Sequence, residues 1–238
     1  MKCKIIIIIS ILVCIIALAF SIYIIFNDFK EMEENNKDTE NLIKDTIIVN
    51  EETEEKNIDW EYLKSVNQDI IAWIEIPNTI INYPILRDNN LYYLKHSYNK
   101  KYNSNGSIFT TNYKPFEEAE TLLYGHNMKN GSMFSILDKY LEYDFLHTHQ
   151  KFYIYTPDKN YECTIFSVYS IGINTEINNI KELNFDEKIN YYKKSSNINI
   201  KVDKEISKIV KLSTCSYINA RTSPTDQRYY IVAYLDTI

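Results

Sequence analysis

Ile209-Val210-Lys211-Leu212-Ser213-Thr214-Cys215, followed after a polar gap by Arg228-Tyr229-Tyr230-Ile231-Val232-Ala233-Tyr234, is the stretch on which the fold turns. β-Branched and aromatic residues crowd both runs, while Asn, Ser, Pro and Asp fill the gap, so each run is predicted to be a strand. One strand then ends in a cysteine and the next opens with an arginine. Upstream, Leu122-Leu123-Tyr124-Gly125-His126-Asn127-Met128 reads as another strand running into a turn. Cysteine, histidine and arginine at strand ends are the parts of thiol catalysis: a nucleophile, a proton carrier and a donor for a developing oxyanion. A lone cysteine is by itself more often an inert buried hydrophobe, so the rest of the chain has to separate the two readings.

Working outward, Trp60 to Asn67 reads as a short helix and Ile70 to Ile76 as a strand ending at Pro77-Asn78. Ile80 to Leu86 is a second strand in which Pro84 marks an edge or a bulge. Ser107–Thr111, Thr121–Tyr124, Phe152–Tyr155 and Tyr161–Ile173 are further strands, with a turn at Thr156-Pro157-Asp158. Turn residues at Asn130-Gly131-Ser132 lead into Met133, Ile136, Leu137 and Tyr140 at helical spacing, so a helix over 130–141 is expected. Asn184 to Ser196 reads as another, with Phe185, Ile189 and Tyr192 on one side. Many short strands and few helices predict a mostly β fold, a closed or nearly closed barrel.

Leu212-Ser213-Thr214-Cys215 closing a strand, Tyr124-Gly125-His126-Asn127-Met128 upstream and a following strand opened by Arg228 resemble the sortases, specifically class B. The similarity spans roughly 60–238 and includes Asp69 to Pro77, Ile81-Asn82-Tyr83-Pro84-Ile85, Asn90 to Leu94 and Gly106-Ser107-Ile108-Phe109, all in family order. The helix at 184–196 lies where class B sortases carry one. One departure is visible: Lys211 stands where the family has threonine, and its side chain is expected to point outward.

The resemblance implies a membrane-anchored cysteine transpeptidase. Cys215 would attack the carbonyl after a threonine of a sorting signal, His126 would protonate the leaving amine, and Arg228 would stabilise the oxyanion or substrate carbonyls. A free thiol, with a pKa of about 8.5, is only a few per cent thiolate near neutrality, and a protonated His126 and Arg228 would both favour the anion. The partners implied are a sorting-signal-bearing surface protein and a peptidoglycan precursor or cell-wall peptide amine. Tyr124 and Ser213, each two residues before a catalytic position, are expected at the substrate groove if strand alternation holds. Three other readings stay open: a pilin-polymerising sortase, a secreted cysteine protease in which water resolves the acyl-enzyme, and an anchored binding domain without activity.

Residues 1–26 are expected to be a membrane anchor. Ile5 to Phe26 is apolar except for Ser10 and Ser21, and as a helix it would span about 33 Å, enough for a hydrocarbon core of about 30 Å. A cleaved signal would have a shorter apolar run ending in small residues. Lys2 and Lys4 precede the run and Asp28, Glu31, Glu33 and Glu34 follow it, which puts the N-terminus in the cytoplasm and the remainder outside the cell. Residues 27–59 hold twelve acidic residues against four lysines, an acidic stalk read as a solvated tether, disordered or partly helical. Residues 60–238 form the catalytic domain and hold twenty charges of each sign, so the chain's net −6 says little about that domain's partners.

Cys3 and Cys14 fall in the membrane segment, leaving Cys163 and Cys215 in the exported domain. Cys163 sits mid-strand, where core packing is expected rather than a disulfide with Cys215. No CxxC or HxxxH spacing suggests zinc, and His96, His147 and His149 read as surface or capping residues. No cofactor is expected. The twenty-one tyrosines are read as compositional bias, and basic residues form no nucleic-acid stripe.

Overall fold

The computed structural model describes residues 2–49, 56–216 and 226–238. Two compact units emerge, residues 1–48 and 49–238. The first is built on helix α1 (Lys2–Thr46). Its segment Lys4–Asn27, with a mean hydropathy of 3.3, is long and apolar enough to cross a membrane. The two serine hydroxyls in that segment are satisfied within the helix, Ser10 Oγ donating to Ile6 O and Ser21 Oγ to Ala17 O, both at 2.9 Å. Internal pairing of polar groups is what lipid demands of a spanning segment. The helix continues into the acidic stretch, where Lys37 meets Glu33 at 2.9 Å one turn away.

The second unit is a closed eight-stranded barrel. Helix α2 (Trp60–Val66), with Asp59 accepting from Tyr62 N at its start, precedes β1 (Ile70–Glu75), β2 (Asn82–Arg87), β3 (Ile108–Thr110) and β4 (Glu120–Tyr124). Helix α3 (Tyr143–Thr148) leads to β5 (Lys151–Tyr155) and the long β6 (Asn160–Gly172). Helices α4 (Ile173–Ile180) and α5 (Phe185–Ser195) follow, then β7 (Ile209–Cys215) and β8 (Gln227–Thr237). Around the barrel the order is β8-β6-β5-β1-β2-β3-β4-β7, returning to β8. The pairs β2–β3 and β4–β7 are parallel and all others antiparallel. Alternate residues fill the interior, among them Ile74, Leu123, Cys163, Leu212 and Ile231. A second apolar cluster lies on the outer face of β6 and β8, where Ile189 and Tyr192 of α5 pack with Phe166, Tyr230 and Val232.

Several local expectations are refined. Pro84 pairs with Trp73 of β1, and the ladder to β3 begins only at Ile85, so the missing N–H falls where one side of β2 is still open. The expected helix at 130–141 is a 3₁₀ helix confined to Ser135–Leu141. Residues ahead of it are held in a turn: Asn130 Oδ1 accepts from Ser132 N and Oγ, and Gly131 and Met133 take φ of +86° and +56°. Helix α5 matches its expected bounds because Asn184 and Glu187 form a reciprocal cap.

Lys211 does point away from the barrel interior, but not into solvent. It is 2% exposed, ion-paired with Glu176 of α4, and its Nζ lies 4.3 Å and 4.6 Å from the ring centroids of Tyr230 and Tyr192. Tyr169 and Tyr191 both donate to the Glu176 carboxylate, at 2.7 and 2.8 Å. Burial pushes the Lys211 ammonium below its usual pKa, and Glu176 opposes that shift. Removing one partner of such a pair leaves an uncompensated buried charge. Lys211→Ala is therefore expected to cost about 3–5 kcal/mol in chemical denaturation of the micelle-embedded chain, whereas Lys211→Met combined with Glu176→Leu costs far less. Equal losses in the two variants would contradict this account.

Candidate active site

Three strand ends meet on one side of the barrel. Strand β7 lies between β4 and β8, pairing Tyr124 with Ser213 on one side and Arg228 with Cys215 on the other. Ser216 N donates to Gln227 O at 3.0 Å, which makes 216 and 227 a hydrogen-bonded pair. Cys215 and Arg228 are then a non-hydrogen-bonded pair, the narrow kind with Cα atoms about 4.5 Å apart. Val210 and Leu212 face the barrel core, so alternation turns Lys211, Ser213 and Cys215 to the outer face.

The turn after β4 is tied to the same strand end. Gly125 N donates to Ser213 O at 3.2 Å, and Asn127 Nδ2 donates to Cys215 O at 2.9 Å. Gly125 has no room for a side chain: a Cβ there would lie 2.5 Å from Ile108 Cδ1 and 2.6 Å from Phe134 Cδ2. His126, between these two anchors, is half-buried, and its Nε2 lies 2.8 Å from Leu94 O. Its own carbonyl accepts from Phe134 N at 2.9 Å. The backbone carrying the imidazole is therefore fixed on both sides.

Cys215 is a free thiol, partly exposed, at the mouth of this arrangement. Cys163 is also free but wholly buried in the barrel interior, and burial raises its thiol pKa well above the usual value. The two thiols of the domain thus differ sharply in access. Arg228 is partly exposed, with Nη1 donating to Gln227 O at 2.9 Å. Tyr124 is partly exposed and its ring stacks on Phe109 at 5.3 Å, and burial raises its phenol pKa. Ser213 shares this face but is only 6% exposed. Of the two residues expected at a groove, Tyr124 is the accessible one.

The other histidines sit elsewhere. His96 stacks on Tyr92 at 3.6 Å, His147 stacks on Tyr143, and His149 follows the last residue of α3. Among the described residues no three His, Cys, Asp or Glu converge as a metal site would require. Arg221, the other arginine after the cysteine, lies outside the described residues. Two contributors escaped the sequence reading. Asn127 stood beside the histidine without a role, and the Leu94 carbonyl is a backbone group that leaves no mark on residue type.

The sortase domain family profile matches residues 74–236. A sortase B of Listeria monocytogenes is 39% identical over 163 residues, covering 64% of this chain and 65% of that protein. The match therefore spans just under two thirds of that relative's length. The solved sortase B of Bacillus anthracis superposes with a TM-score of 0.70 at 30% identity, over 88% of this chain and all of that one. A substrate complex of Staphylococcus aureus sortase B gives 0.65 at 27% identity, over 75% and 85%. The chain belongs to the sortases, a family of cysteine transpeptidases, and its relatives set it with sortase B.

Proposed function

We propose that this protein is a membrane-anchored cysteine transpeptidase that cleaves a sorting signal after threonine and joins the acyl product to a cell-wall amine. The observation that carries the proposal is the cross-strand pair Cys215 and Arg228, with the His126 turn tied to the Cys215 carbonyl. The Cys215 thiolate adds to the scissile carbonyl carbon, and the oxyanion that develops draws on the Arg228 guanidinium, a fixed fork of donors. The C–N bond breaks, the leaving amine takes a proton from His126, and a thioester remains on Sγ. An acceptor amine then attacks the thioester, losing a proton to His126 and releasing the thiolate. Tyr124 and Ser213, on the same face as Cys215, border the substrate groove in this reading.

The solved relatives support the partners named here by analogy. One sortase B was determined with its substrate and another with triglycine, a peptide whose amine is of the kind the second step needs. Helix α1 supplies the anchor in this reading, with the N-terminus inside the cell and the catalytic domain outside. The acidic stretch from 27 to 59 then spaces the catalytic domain from the lipid surface.

Three outcomes follow for a peptide library with threonine before the cleaved bond and triglycine as acceptor, and a fourth for intact cells. Cys215→Ala abolishes turnover in a folded protein, while Cys163→Ala keeps it, and the reverse pattern would sink the assignment. Arg228→Lys lowers kcat/KM on the order of a hundredfold or more, about the cost of one oxyanion donor, and Arg221→Lys changes it little. If those two results are exchanged, Arg221 takes the role. With wild type, triglycine gives an amide product, and hydrolysis alone would point to a protease. Protease added to intact wall-less cells removes the domain beyond residue 59 and spares the N-terminus, and protection of the whole chain would mean the opposite orientation.

A further inference from the structure

We infer that the backbone carbonyl of Leu94 acts as the orienting partner of His126, fixing its neutral tautomer and making Nδ1 the nitrogen that carries the proton in both half-reactions. This rests on the reading of Cys215 and His126 as the reacting groups. His126 Nε2 lies 2.8 Å from Leu94 O. A carbonyl oxygen has no hydrogen to give, so the ring nitrogen facing it must be the N–H donor. In the neutral imidazole the other nitrogen is then bare. When the ring gains a proton it gains it at Nδ1, and the carbonyl goes on accepting from Nε2–H of the cation.

The acceptor is rigidly held, as an orienting group must be. Leu94 ends a short 3₁₀ turn, Tyr92–Leu94, which opens on Leu91 at φ +58°. Asp88 caps the turn, its Oδ1 accepting from Asn90 N at 2.9 Å and its Oδ2 from Tyr92 N, while its own N–H donates to Thr110 O of β3. The neighbouring Tyr93 is 1% exposed, its hydroxyl donating to Asp69 at 2.7 Å and accepting from Asn67 Nδ2 at 2.8 Å. Ser107 N donates to Tyr93 O at 2.9 Å, which locks the carbonyl row from behind. Gly106 completes the support. At φ +61°, a Cβ there would come within 2.6 Å of Tyr93 O and 2.7 Å of Leu94 O. A side chain at 106 must displace the carbonyl that His126 meets.

A backbone acceptor suits this position for a chemical reason. A carboxylate beside an imidazolium would compete with the thiolate as its counter-ion, whereas a carbonyl orients the ring without taking the charge. Leu94 is a positioning residue in this sense: its carbonyl acts through the imidazole.

The decisive measurement is the ring ¹⁵N spectrum of His126 in the full-length chain in detergent micelles. It is made with Cys215→Ser, which removes the reactive thiol, and His126→Gln assigns the signal among four histidines. Above the imidazole's titration, Nε2 should show the shift of a protonated nitrogen and Nδ1 that of a bare one. The opposite pattern would overturn the proposal, and would leave the role of Cys215 untouched. The second arm is Gly106→Ala, with the fold checked by near-UV circular dichroism. Its His126 should lose the single-tautomer spectrum, and alkylation of Cys215 by iodoacetamide near neutral pH should slow on the order of tenfold, the loss of one hydrogen bond to a charged group. A folded Gly106→Ala chain with unchanged tautomer and unchanged alkylation rate would exclude the Leu94 carbonyl as the orienting group.

Discussion

The position of β7 between a parallel and an antiparallel neighbour is the constraint on which the site depends. The β4 ladder runs through Tyr124 opposite Ser213 and continues in Gly125 N to Ser213 O, so the chain leaves β4 beside the end of β7. The β8 ladder brings Arg228 back to Cys215 from the other side. Neither strand reaches the other directly. Only β7, paired to both, sets the histidine turn and the arginine at one place. A slip of one residue in either ladder would turn that strand's side chains to the opposite face of the barrel, so the interior packing of Leu123, Val210, Leu212 and Ile231 fixes which residues share this face as well as the fold.

Further along the same outer face of β7 lies a polar cluster around Lys211. Glu176 joins Lys211 of β7 to Tyr169 of β6 and Tyr191 of α5, and Glu120 of β4 joins Tyr192 and Lys188 of α5. The two carboxylates therefore tie the helical cover to three strands of the sheet. Desolvating such charges is costly, and their worth lies in geometry rather than net stability. Strand β6 ends at Gly172, opposite Gln227 and next to Arg228, where α4 begins. The helix that carries Glu176 thus starts at the edge of the site.

The strands were legible because their signals are local. Runs of Ile, Val and Tyr broken by Pro, Asn and Gly marked every barrel strand, with Cys215 ending one, Arg228 near the start of the next and His126 in the turn after a third. Helix α4 was not legible. Its sequence, Ile-Asn-Thr-Glu-Ile-Asn-Asn-Ile, is rich in β-branched residues and asparagine, which disfavour helix, and it folds so because Glu176 has partners in Lys211, Tyr169 and Tyr191. The tyrosines read as compositional bias include those that enclose Lys211, a contact set drawn from β6, β8 and α5 that no window of sequence contains. The 3₁₀ helix at Ser135–Leu141 fell to the same limit: its apolar spacing was visible, but the positive φ of Met133 that delays its start was not.

The central claim is that Cys215 forms an acyl-enzyme which an amine discharges. Intact-mass spectrometry of the full-length chain, quenched with acid after brief exposure to the threonine-containing peptide library, tests it most directly. The account predicts a transient adduct equal to the acyl half of a cleaved peptide, mapped to Cys215, that disappears on adding triglycine as an equal amount of new amide forms. Turnover with no adduct on Cys215 at any quench time, in conditions where the acyl-enzyme is trapped by omitting triglycine, would contradict it.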